Sequence, residues 1–332
     1  MNIIDRYNMK RVLEDFPSQI EEASNLGEKA SLPFVVEPQS VFVAGMGGSA
    51  IGGDLLESCL RDEISIPIYV NRDYDIPRFV NKDTLAFICS YSGNTEETIS
   101  AYQEISKRTK NIVCITTGGK LEELCNNSLI KIPKGLQPRC AIGYLFVPML
   151  VLLSKLRIIS KKDTEIREII SLLSSLSKRL TKQDSIAYKI AKNLHNKLPI
   201  IYASNRLGVC ARRWATQLNE NSKIMAHFNL FSELNHNEIV GFGTPNLNSW
   251  LIILRDRDDG DRIARRIELT KEIITPYTVG ISEVWGDGES LLARLFSIIY
   301  VGDWVSYWLA VMRGVDPTPV DRIDYLKRRL KS

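Results

Sequence analysis

Short apolar runs rich in β-branched residues alternate with helical patterns along most of the chain. Helical stretches such as DLLESCL and TEETISAYQEISKR separate most of these runs in the first half. The predicted strands there are SVFVAG, IPIYV, TLAFICS, NIVCITT and LIKIP. This alternation predicts βαβ units on a parallel sheet that helices cover on both faces.

A second set of predicted strands follows a long helix-prone stretch from about Tyr144 to Asn196. These strands are PIIYAS, WLIILRD and PYTVGIS, and a long helical pattern from about Glu289 to Met312 comes after them. The pattern of SVFVAGMGGSAIGG aligns with that of PIIYASNRLGVCAR, and NIVCITTGG is similar to PYTVGISE. These similarities indicate a diverged repeat. The sequence therefore predicts an α/β protein with two doubly wound parallel-sheet domains, residues 1–157 and 158–332, and helical linker segments.

Composition and charge are typical of a soluble globular protein, with 44% hydrophobic and 25% charged residues and a net charge of +4. The densest basic run, residues 327–331, is better read as a solvated helix end than as a nucleic-acid surface. The six cysteines form no C-x-x-C pair, which favours a reducing cytoplasm. The charged N-terminus is unlike a signal peptide. The apolar run from Ala141 to Leu153 contains Pro148 and is shorter than the roughly 20 residues of a membrane helix. We expect a cytoplasmic protein with no nucleic-acid or membrane partner.

A glycine-rich loop, GMGGSA at residues 45–50, follows the first predicted strand and opens a helix. Glycines let the backbone approach a ligand, and free N–H groups at a helix start attract an anion. The loop passes a loose dinucleotide fingerprint, with Asp73 in the region of a ribose contact. By itself it is equally compatible with a tight turn that binds nothing.

A second strand end, ICSYSGNTEET, supplies Ser90, Ser92, Asn94 and Thr95 before another helix. Helix capping needs one such residue, and Asn94 with Glu97 would already form a capping box. The additional groups suit a compact phosphate monoester, whose oxygens accept several short hydrogen bonds. No P-loop motif occurs, which disfavours nucleoside triphosphates.

Together, GMGGSA and SYSGNTEET resemble the SIS (sugar isomerase) domain, which binds phosphosugars. With PRCAIGYLFVPML, ELNHNEIVGF and the closing VDPTPVDRIDYLKRRL, the whole chain resembles the bifunctional phosphoglucose/phosphomannose isomerases. The resemblance implies two SIS domains, a cytoplasmic homodimer with shared active sites, and neither metal nor cofactor. It also implies a phosphate cradle in the first domain, made of Gly47, Gly48, Ser49, Ser90, Ser92 and Thr95.

The stretch LNENSKIMAHFNLFSELNHNEIVGF concentrates histidine, glutamate and asparagine. Glu233 and His236 have the E-x-x-H spacing of di-metal helical bundles, but no second copy of that motif exists, so metal binding is poorly supported. The asparagines favour caps and turns, which predicts a helix from Ala211 to about Glu220, a loop, and a short helix or turn near Ser232. Glu233 and Glu238 are taken as solvated, and His227 as a packed, hydrogen-bonded structural residue.

Glu220 and His236 fit a more specific hypothesis. Aldose–ketose isomerisation needs a base that moves a proton between C2 and C1 through an enediol, and an acid/base that opens the sugar ring. The resemblance implies Glu220 as that base and His236 as the ring opener, which reaches the partner subunit's site. It further implies that Arg139 stabilises enediolate charge, that Lys327 assists ring opening, and that Thr318 makes room for the mannose epimer.

Two other functions stay open alongside interconversion of glucose 6-phosphate and mannose 6-phosphate with fructose 6-phosphate. An aminosugar isomerase would normally carry an ammonia-handling domain, for which no sequence is left over. A non-catalytic phosphosugar sensor usually has a regulatory module, and residues 1–39 are too short and unpatterned to supply one. A sensor would need the cradle but neither Glu220 nor His236.

Overall fold

The structure is a computed structural model that describes residues 4–32, 37–125, 128–243 and 248–330. The chain forms two compact units. The first unit is built from Asp15–Leu172 with Ser290–Leu292, and the second from Met1–Glu14, Leu173–Glu289 and Ala293–Ser332. These ranges differ from the predicted domains at residues 1–14, 158–172 and 290–292, and the domain division at residue 157 stays a prediction.

A five-stranded parallel sheet forms the centre of the first unit, in the order β2-β1-β3-β4-β5. All residues of β1, β3 and β4 are buried, as expected for apolar strands that are covered on both faces. The strands are β1 (Ser40–Ala44), β2 (Ile68–Asn71), β3 (Thr84–Ser90), β4 (Ile112–Thr116) and β5 (Ser128–Lys131).

Helix α1 (Met9–Glu14) belongs to the second unit, whereas the next five helices cover the first sheet. They are α2 (Phe16–Lys29), α3 (Gly48–Leu60), α4 (Glu96–Ile105), α5 (Gly119–Leu124) and α6 (Ile142–Lys155). Residues 142–153 of α6 are all buried, which confirms the prediction of a buried helix in this apolar run. Helix α2 packs closely on α6, because a Cβ on Gly27 would lie 2.9 Å from the Val151 Cβ.

A four-stranded parallel sheet forms the centre of the second unit, in the order β7-β6-β8-β9. This order repeats that of the first four strands of the first sheet. The strands are β6 (Leu198–Ala203), β7 (His227–Leu230), β8 (Ser249–Arg255) and β9 (Gly280–Trp285). The remaining helices are α7 (Asp163–Leu180), which crosses the division between the units, α8 (Ile186–Leu194), α9 (Gly208–Ser222), α10 (Phe231–Leu234), α11 (Asp261–Ile274), α12 (Leu291–Met312) and α13 (Asp321–Leu330).

The predicted α/β class with parallel sheets is confirmed, and each predicted strand is present. Two local predictions were wrong. Residues 227–230 form edge strand β7 instead of a loop. Helix α9, predicted to end at about Glu220, ends at Ser222, where Lys223 follows in a left-handed conformation with φ 55°. The N-terminal region, predicted to be unpatterned, contains α1 and α2.

Helix α12 has the length and composition to cross a membrane, but 89% of its most apolar 18-residue window is buried inside the protein. Trp304 and Leu309 are fully buried there. A helix that is apolar on all sides and enclosed by its own chain is a core helix.

Candidate active site

Two loops meet at the carboxyl edge of the first sheet, after β1 and after β3. These strands are parallel neighbours, so their ends lie side by side. The Tyr91 backbone N–H donates to Ser49 Oγ at 3.4 Å, and a Cβ on Gly45 would lie 3.1 Å from the Cys89 carbonyl oxygen. In this strand order, the point between β1 and β3 is where successive connections leave in opposite directions and a ligand crevice opens.

The predicted hydroxyl groups are clustered in the loop after β3. Ser90 Oγ donates to Thr95 Oγ1 at 3.1 Å and accepts from the Gly93 N–H at 3.1 Å. Ser92 Oγ accepts from the Asn94 N–H at 3.2 Å. Ser90 is buried, Thr95 is half-buried and Ser92 is exposed, so the three hydroxyl-bearing residues extend from the sheet to the solvent.

The predicted capping box of Asn94 and Glu97 was wrong. Helix α4 begins at Glu96, and Thr95 is its N-cap without a capping hydrogen bond from its side chain. The Asn94 side chain instead connects two loops, since its Oδ1 accepts from the Lys120 N–H at 3.1 Å and its Nδ2 donates to the Ser92 carbonyl at 3.1 Å. Asn94 therefore joins the loops after β3 and β4, and the Thr95 hydroxyl is not used to cap the helix.

The glycine loop after β1 combines one open position with one crowded position. Gly47 has φ +50°, and a Cβ there would have no atom within 4 Å. A Cβ on Gly48 would lie 2.7 Å from the Pro138 carbonyl oxygen. The first turn of α3, which begins at Gly48, has no acidic residue, whereas that of α4 has Glu96 and Glu97. The N-terminus of α3 is therefore the better place for an anion.

Arg139 reaches the same edge through the segment that follows β5. It lies in a 3₁₀ turn, Pro138–Cys140, which packs on the start of α3 through Gly48. The Arg139 side chain is only 3% exposed. Its Nη1 donates to Gln137 Oε1 at 3.4 Å. A buried arginine whose backbone packs on the glycine loop is a candidate to stabilise negative charge on a ligand bound there.

Two residues that position this segment were missed in the sequence. The Tyr91 hydroxyl donates to the Pro133 carbonyl at 3.0 Å and accepts from the Leu136 N–H at 2.9 Å. Gln19 of α2 donates to the Cys140 carbonyl at 2.9 Å and accepts from the Gly143 N–H at 2.8 Å. Tyr91 lies inside the quoted motif and could have been considered, but nothing in the sequence near Gln19 indicates its role.

Glu220 lies near the end of α9 in the second unit, and buried hydrogen bonds attach that end of the helix to α12. Arg213 pairs with Asp303 at 2.8 Å, and Gln217 donates to the same carboxylate at 2.9 Å. Asn221 Nδ2 donates to Ser306 Oγ at 2.9 Å. The residue next to Glu220 is therefore held in a rigid, solvent-excluded contact.

Thr318 is placed beside the end of α9 by Lys223. Lys223 Nζ donates to the Glu220 carbonyl at 2.5 Å and to the Pro317 carbonyl at 3.2 Å. Thr318 itself is 8% exposed, and its N–H donates to Asp316 Oδ1 at 3.0 Å. The structure thus brings together the segments that carry Glu220 and Thr318.

His236 lies at the other end of β7 from Glu220. Helix α9 ends before the amino end of β7, whereas His236 follows the carboxyl end of that strand and the short helix α10. Four residues of strand span about 13 Å. His236 is exposed. Within the second unit, therefore, the structure does not bring the two residues together.

Lys327 lies on α13, which buries none of its described side chains. The basic run is therefore exposed over residues 327–330, and Lys331 lies outside the described residues. Within residues 4–32, 37–125, 128–243 and 248–330, no three His, Cys, Asp or Glu side chains are placed to hold a metal ion.

The predictions for Glu238 and His227 were wrong in part. Glu238 is not simply solvated, because it accepts hydrogen bonds from the Tyr202 hydroxyl at 2.5 Å and from Asn229 Nδ2 at 2.5 Å. His227 Nε2 lies 3.0 Å from both Glu238 oxygens. His227 is hydrogen-bonded as predicted, but half of its side chain is exposed.

Comparison with known proteins shows which families this chain is similar to. The family model described as the bacterial phospho-glucose isomerase C-terminal SIS domain matches residues 183–330. A bifunctional phosphoglucose/phosphomannose isomerase of Caldicellulosiruptor bescii is 45% identical over 328 residues, covering 95% of this chain and 97% of the relative. The Thermoplasma acidophilum protein of the same name is 41% identical, covering 88% and 89%.

The solved C-terminal domain of glucosamine-fructose-6-phosphate aminotransferase from Francisella tularensis superposes with a TM-score of 0.71 at 15% identity, covering 94% of this chain and 98% of that one. At that identity the likeness concerns the fold. The fold and the loops at its sheet edge define a protein of the SIS class. The extended sequence identity is more specific, and the chain belongs to the bifunctional phosphoglucose/phosphomannose isomerase family. The resemblance found in the sequence motifs is confirmed.

Proposed function

We propose that this protein is an aldose–ketose isomerase that interconverts glucose 6-phosphate and mannose 6-phosphate with fructose 6-phosphate, without a metal or cofactor. The observation that carries the proposal is the convergence of the glycine loop, the Ser90–Thr95 hydroxyls and buried Arg139 at one edge of the first sheet. Family membership supports the same conclusion.

The phosphate group would occupy the cradle. Gly47 and Gly48 offer backbone N–H groups at the start of α3, and Ser49, Ser90, Ser92 and Thr95 offer hydroxyls. A dianion that is held away from the reacting carbons orients the sugar and lowers the entropic cost of the reaction.

Glu220 would be the base of the isomerisation. Its carboxylate takes the proton from C2 of the open-chain aldose, the electron pair forms the C1–C2 double bond, and O1 takes up a proton to give the enediol. The carboxylic acid then returns a proton to C1, and loss of the O2 proton forms the C2 carbonyl of the ketose. Glucose 6-phosphate and mannose 6-phosphate differ only at C2, so both give one enediol and one base serves both.

The other predicted residues would act around this step. Arg139 would stabilise negative charge on the enediolate oxygens. His236 and Lys327 would open the ring, and Thr318 would accommodate the mannose epimer. The opposite placement of Glu220 and His236 along β7 supports a homodimer in which His236 serves the partner's site. A cytoplasmic location agrees with a phosphorylated metabolite as substrate.

A coupled assay with each aldose phosphate tests the proposal, and Glu220→Gln tests the base. We expect turnover of both aldoses in the native protein and a fall of about 10²–10⁴-fold in Glu220→Gln. Binding of fructose 6-phosphate should survive, because the cradle is intact. Glu272→Gln, which alters an exposed carboxylate on α11, is the matched control and should keep native turnover.

Three results would count against parts of the proposal. Native turnover in Glu220→Gln would remove Glu220 as the base. Binding of fructose 6-phosphate without any isomerisation by the native protein would establish a phosphosugar sensor instead. Loss of turnover after prolonged chelation, restored by a divalent ion, would overturn metal independence.

A further inference from the structure

The segment that carries His236, Phe231–Phe242, is fixed at both of its ends by aromatic contacts. The Tyr202 ring on β6 lies 5.9 Å from the Phe231 ring and 6.4 Å from the Phe242 ring, in edge-to-face geometry. All three side chains are buried. We call residues 231–242 the His236 segment.

On the amino-terminal side of His236, Asn235 attaches the segment to α11. Its Nδ2 donates to Thr270 Oγ1 at 2.9 Å, and its Oδ1 accepts from Arg266 Nη1 at 3.0 Å. The His236 backbone N–H donates to the Glu233 carbonyl at 2.9 Å, which closes a turn. The residue immediately before His236 is therefore held by two hydrogen bonds from one helix.

On the carboxyl-terminal side, Glu238 attaches the segment to the sheet. One carboxylate accepts from Tyr202 of β6 and from Asn229 and His227 of β7. Its backbone N–H donates to Asn237 Oδ1 at 2.5 Å. Burial raises the pKa of Glu238, but the hydrogen bonds from Asn229, Tyr202 and His227 outweigh burial and leave that pKa below its ordinary value.

The chemistry of these contacts requires a carboxylate. Asn229 Nδ2 and the Tyr202 hydroxyl both donate, and an ionised carboxylate offers two acceptor oxygens. A glutamine would turn an NH₂ group toward one of these donors. Such a network attaches a turn without covering it, and the His236 imidazole stays exposed between the two attachments.

We propose that Glu238 is a positioning residue for His236. This inference rests on the proposed function, in which His236 opens the sugar ring. In that step the proton of the C1 hydroxyl is removed, the C1–O5 bond breaks, and O5 receives a proton, with the His236 imidazole as the acid/base. An imidazole that is displaced by about 1 Å can lose about 10²-fold in rate, so the attachment of its backbone matters for turnover.

A double-mutant cycle tests the inference, with glucose 6-phosphate turnover as the readout. We expect His236→Ala to lower kcat by about 10²–10⁴-fold and Glu238→Ala by about 10–10²-fold with KM nearly unchanged. Because Glu238 acts through His236, the double variant should be no slower than His236→Ala alone. Multiplicative losses in the double variant would overturn the proposal, as would native kcat in Glu238→Ala.

A substrate without a ring separates positioning from general damage to the fold. Erythrose 4-phosphate cannot close a ring through its phosphorylated O4, so its isomerisation needs the base but no ring opener. Glu238→Ala should leave turnover of this tetrose within about 2-fold of native, because a residue that acts only through the ring opener has no effect where no ring is opened. An equal loss on both sugars would mean that Glu238 supports the fold only.

Tyr202→Phe keeps the inference falsifiable if Glu238→Ala does not fold. It removes one donor to Glu238 and keeps the ring that packs on Phe231 and Phe242. We expect a smaller loss of kcat in Tyr202→Phe than in Glu238→Ala. This loss should again be absent when Tyr202→Phe is combined with His236→Ala. Glu272→Gln is the control and should keep native kcat. Absence of glucose 6-phosphate isomerisation in the native protein would instead refute the proposed function.

Discussion

At the scale of single residues, Gly93 controls the geometry of the predicted hydroxyl set. It has φ +69°, and a Cβ there would overlap the Gly118 carbonyl oxygen in the loop after β4. Its own carbonyl accepts from the Leu121 N–H at 2.9 Å, so the two loops interlock at this residue. Only a residue without a side chain allows both loops to keep these positions.

We therefore expect Gly93→Ala to lower the free energy of unfolding by about 2–5 kcal/mol, from about 1–2 kcal/mol of left-handed strain and about 1–3 kcal/mol of overpacking. Its KM for phosphosugar should also rise. Gly314→Ala is the matched control, since φ is +68° and no atom lies within 4 Å of a Cβ there. Chemical denaturation of both variants measures the difference, and equal losses would show that backbone strain alone matters.

The sequence predicted the placement of a residue well where its contacts are with neighbours in the chain. Ser90, Ser92 and Thr95 do gather at the end of β3, because all three belong to the short segment between β3 and α4. The prediction for Glu238 was wrong because one of its partners, Tyr202, lies 36 positions upstream on another strand. The predicted cap at Asn94 was wrong because the backbone N–H of Lys120, in the first turn of α5, donates to the Asn94 side chain.

At the scale of elements, α13 is an amphipathic helix, and the described part of the chain buries none of its residues. Ile323, Leu326 and Leu330 lie on one side and are 39%, 57% and 65% exposed. We expect Leu326→Ala to change the free energy of unfolding by no more than about 0.5 kcal/mol. Leu309→Ala, on buried α12, should cost about 2–5 kcal/mol. Urea unfolding measures both, and a large cost at Leu326 would show that a second subunit covers α13.

Long or strongly apolar elements were predictable, whereas short or polar ones were not. Strands such as β3 and β8 are seven residues long with five consecutive apolar residues each, and α12 continues for 22 residues. Strand β7 reads HFNL and contains a histidine and an asparagine, so its sequence resembles a loop. It is a strand because it pairs with β6 from Ile200 to Ala203, which is tertiary information.

At the scale of the whole molecule, the separation of Glu220 from His236 predicts complementation between inactive subunits. If each active site takes Glu220 from one subunit and His236 from the other, mixing Glu220→Gln with His236→Ala restores one intact site in each mixed dimer. Statistical mixing makes half of the dimers mixed, and each mixed dimer has one intact site of two, so about a quarter of native turnover should return. Shared sites of this kind are expected at a two-fold interface, where each subunit contributes the same residues to its partner.

The measurement is turnover of glucose 6-phosphate after the two variants are unfolded together and refolded. Each variant refolded alone is the control and should stay inactive. If both residues act within one subunit, no mixture contains an intact site and no activity returns. Light scattering on the same samples reports whether dimers form at all.

The N-terminal residues have a consequence for how the chain is made. Arg6 pairs with Asp316 at 2.9 Å across 310 positions, and the Tyr300 hydroxyl donates to the Leu13 carbonyl at 2.7 Å. Because synthesis proceeds from the amino-terminal side, Arg6 and Leu13 cannot make these contacts until residues 300–316 have been added, while the first unit can already fold. The Asp316 contact lies two positions from Thr318. The segment proposed to accommodate the mannose epimer is therefore completed only when Arg6 pairs with it, late in synthesis.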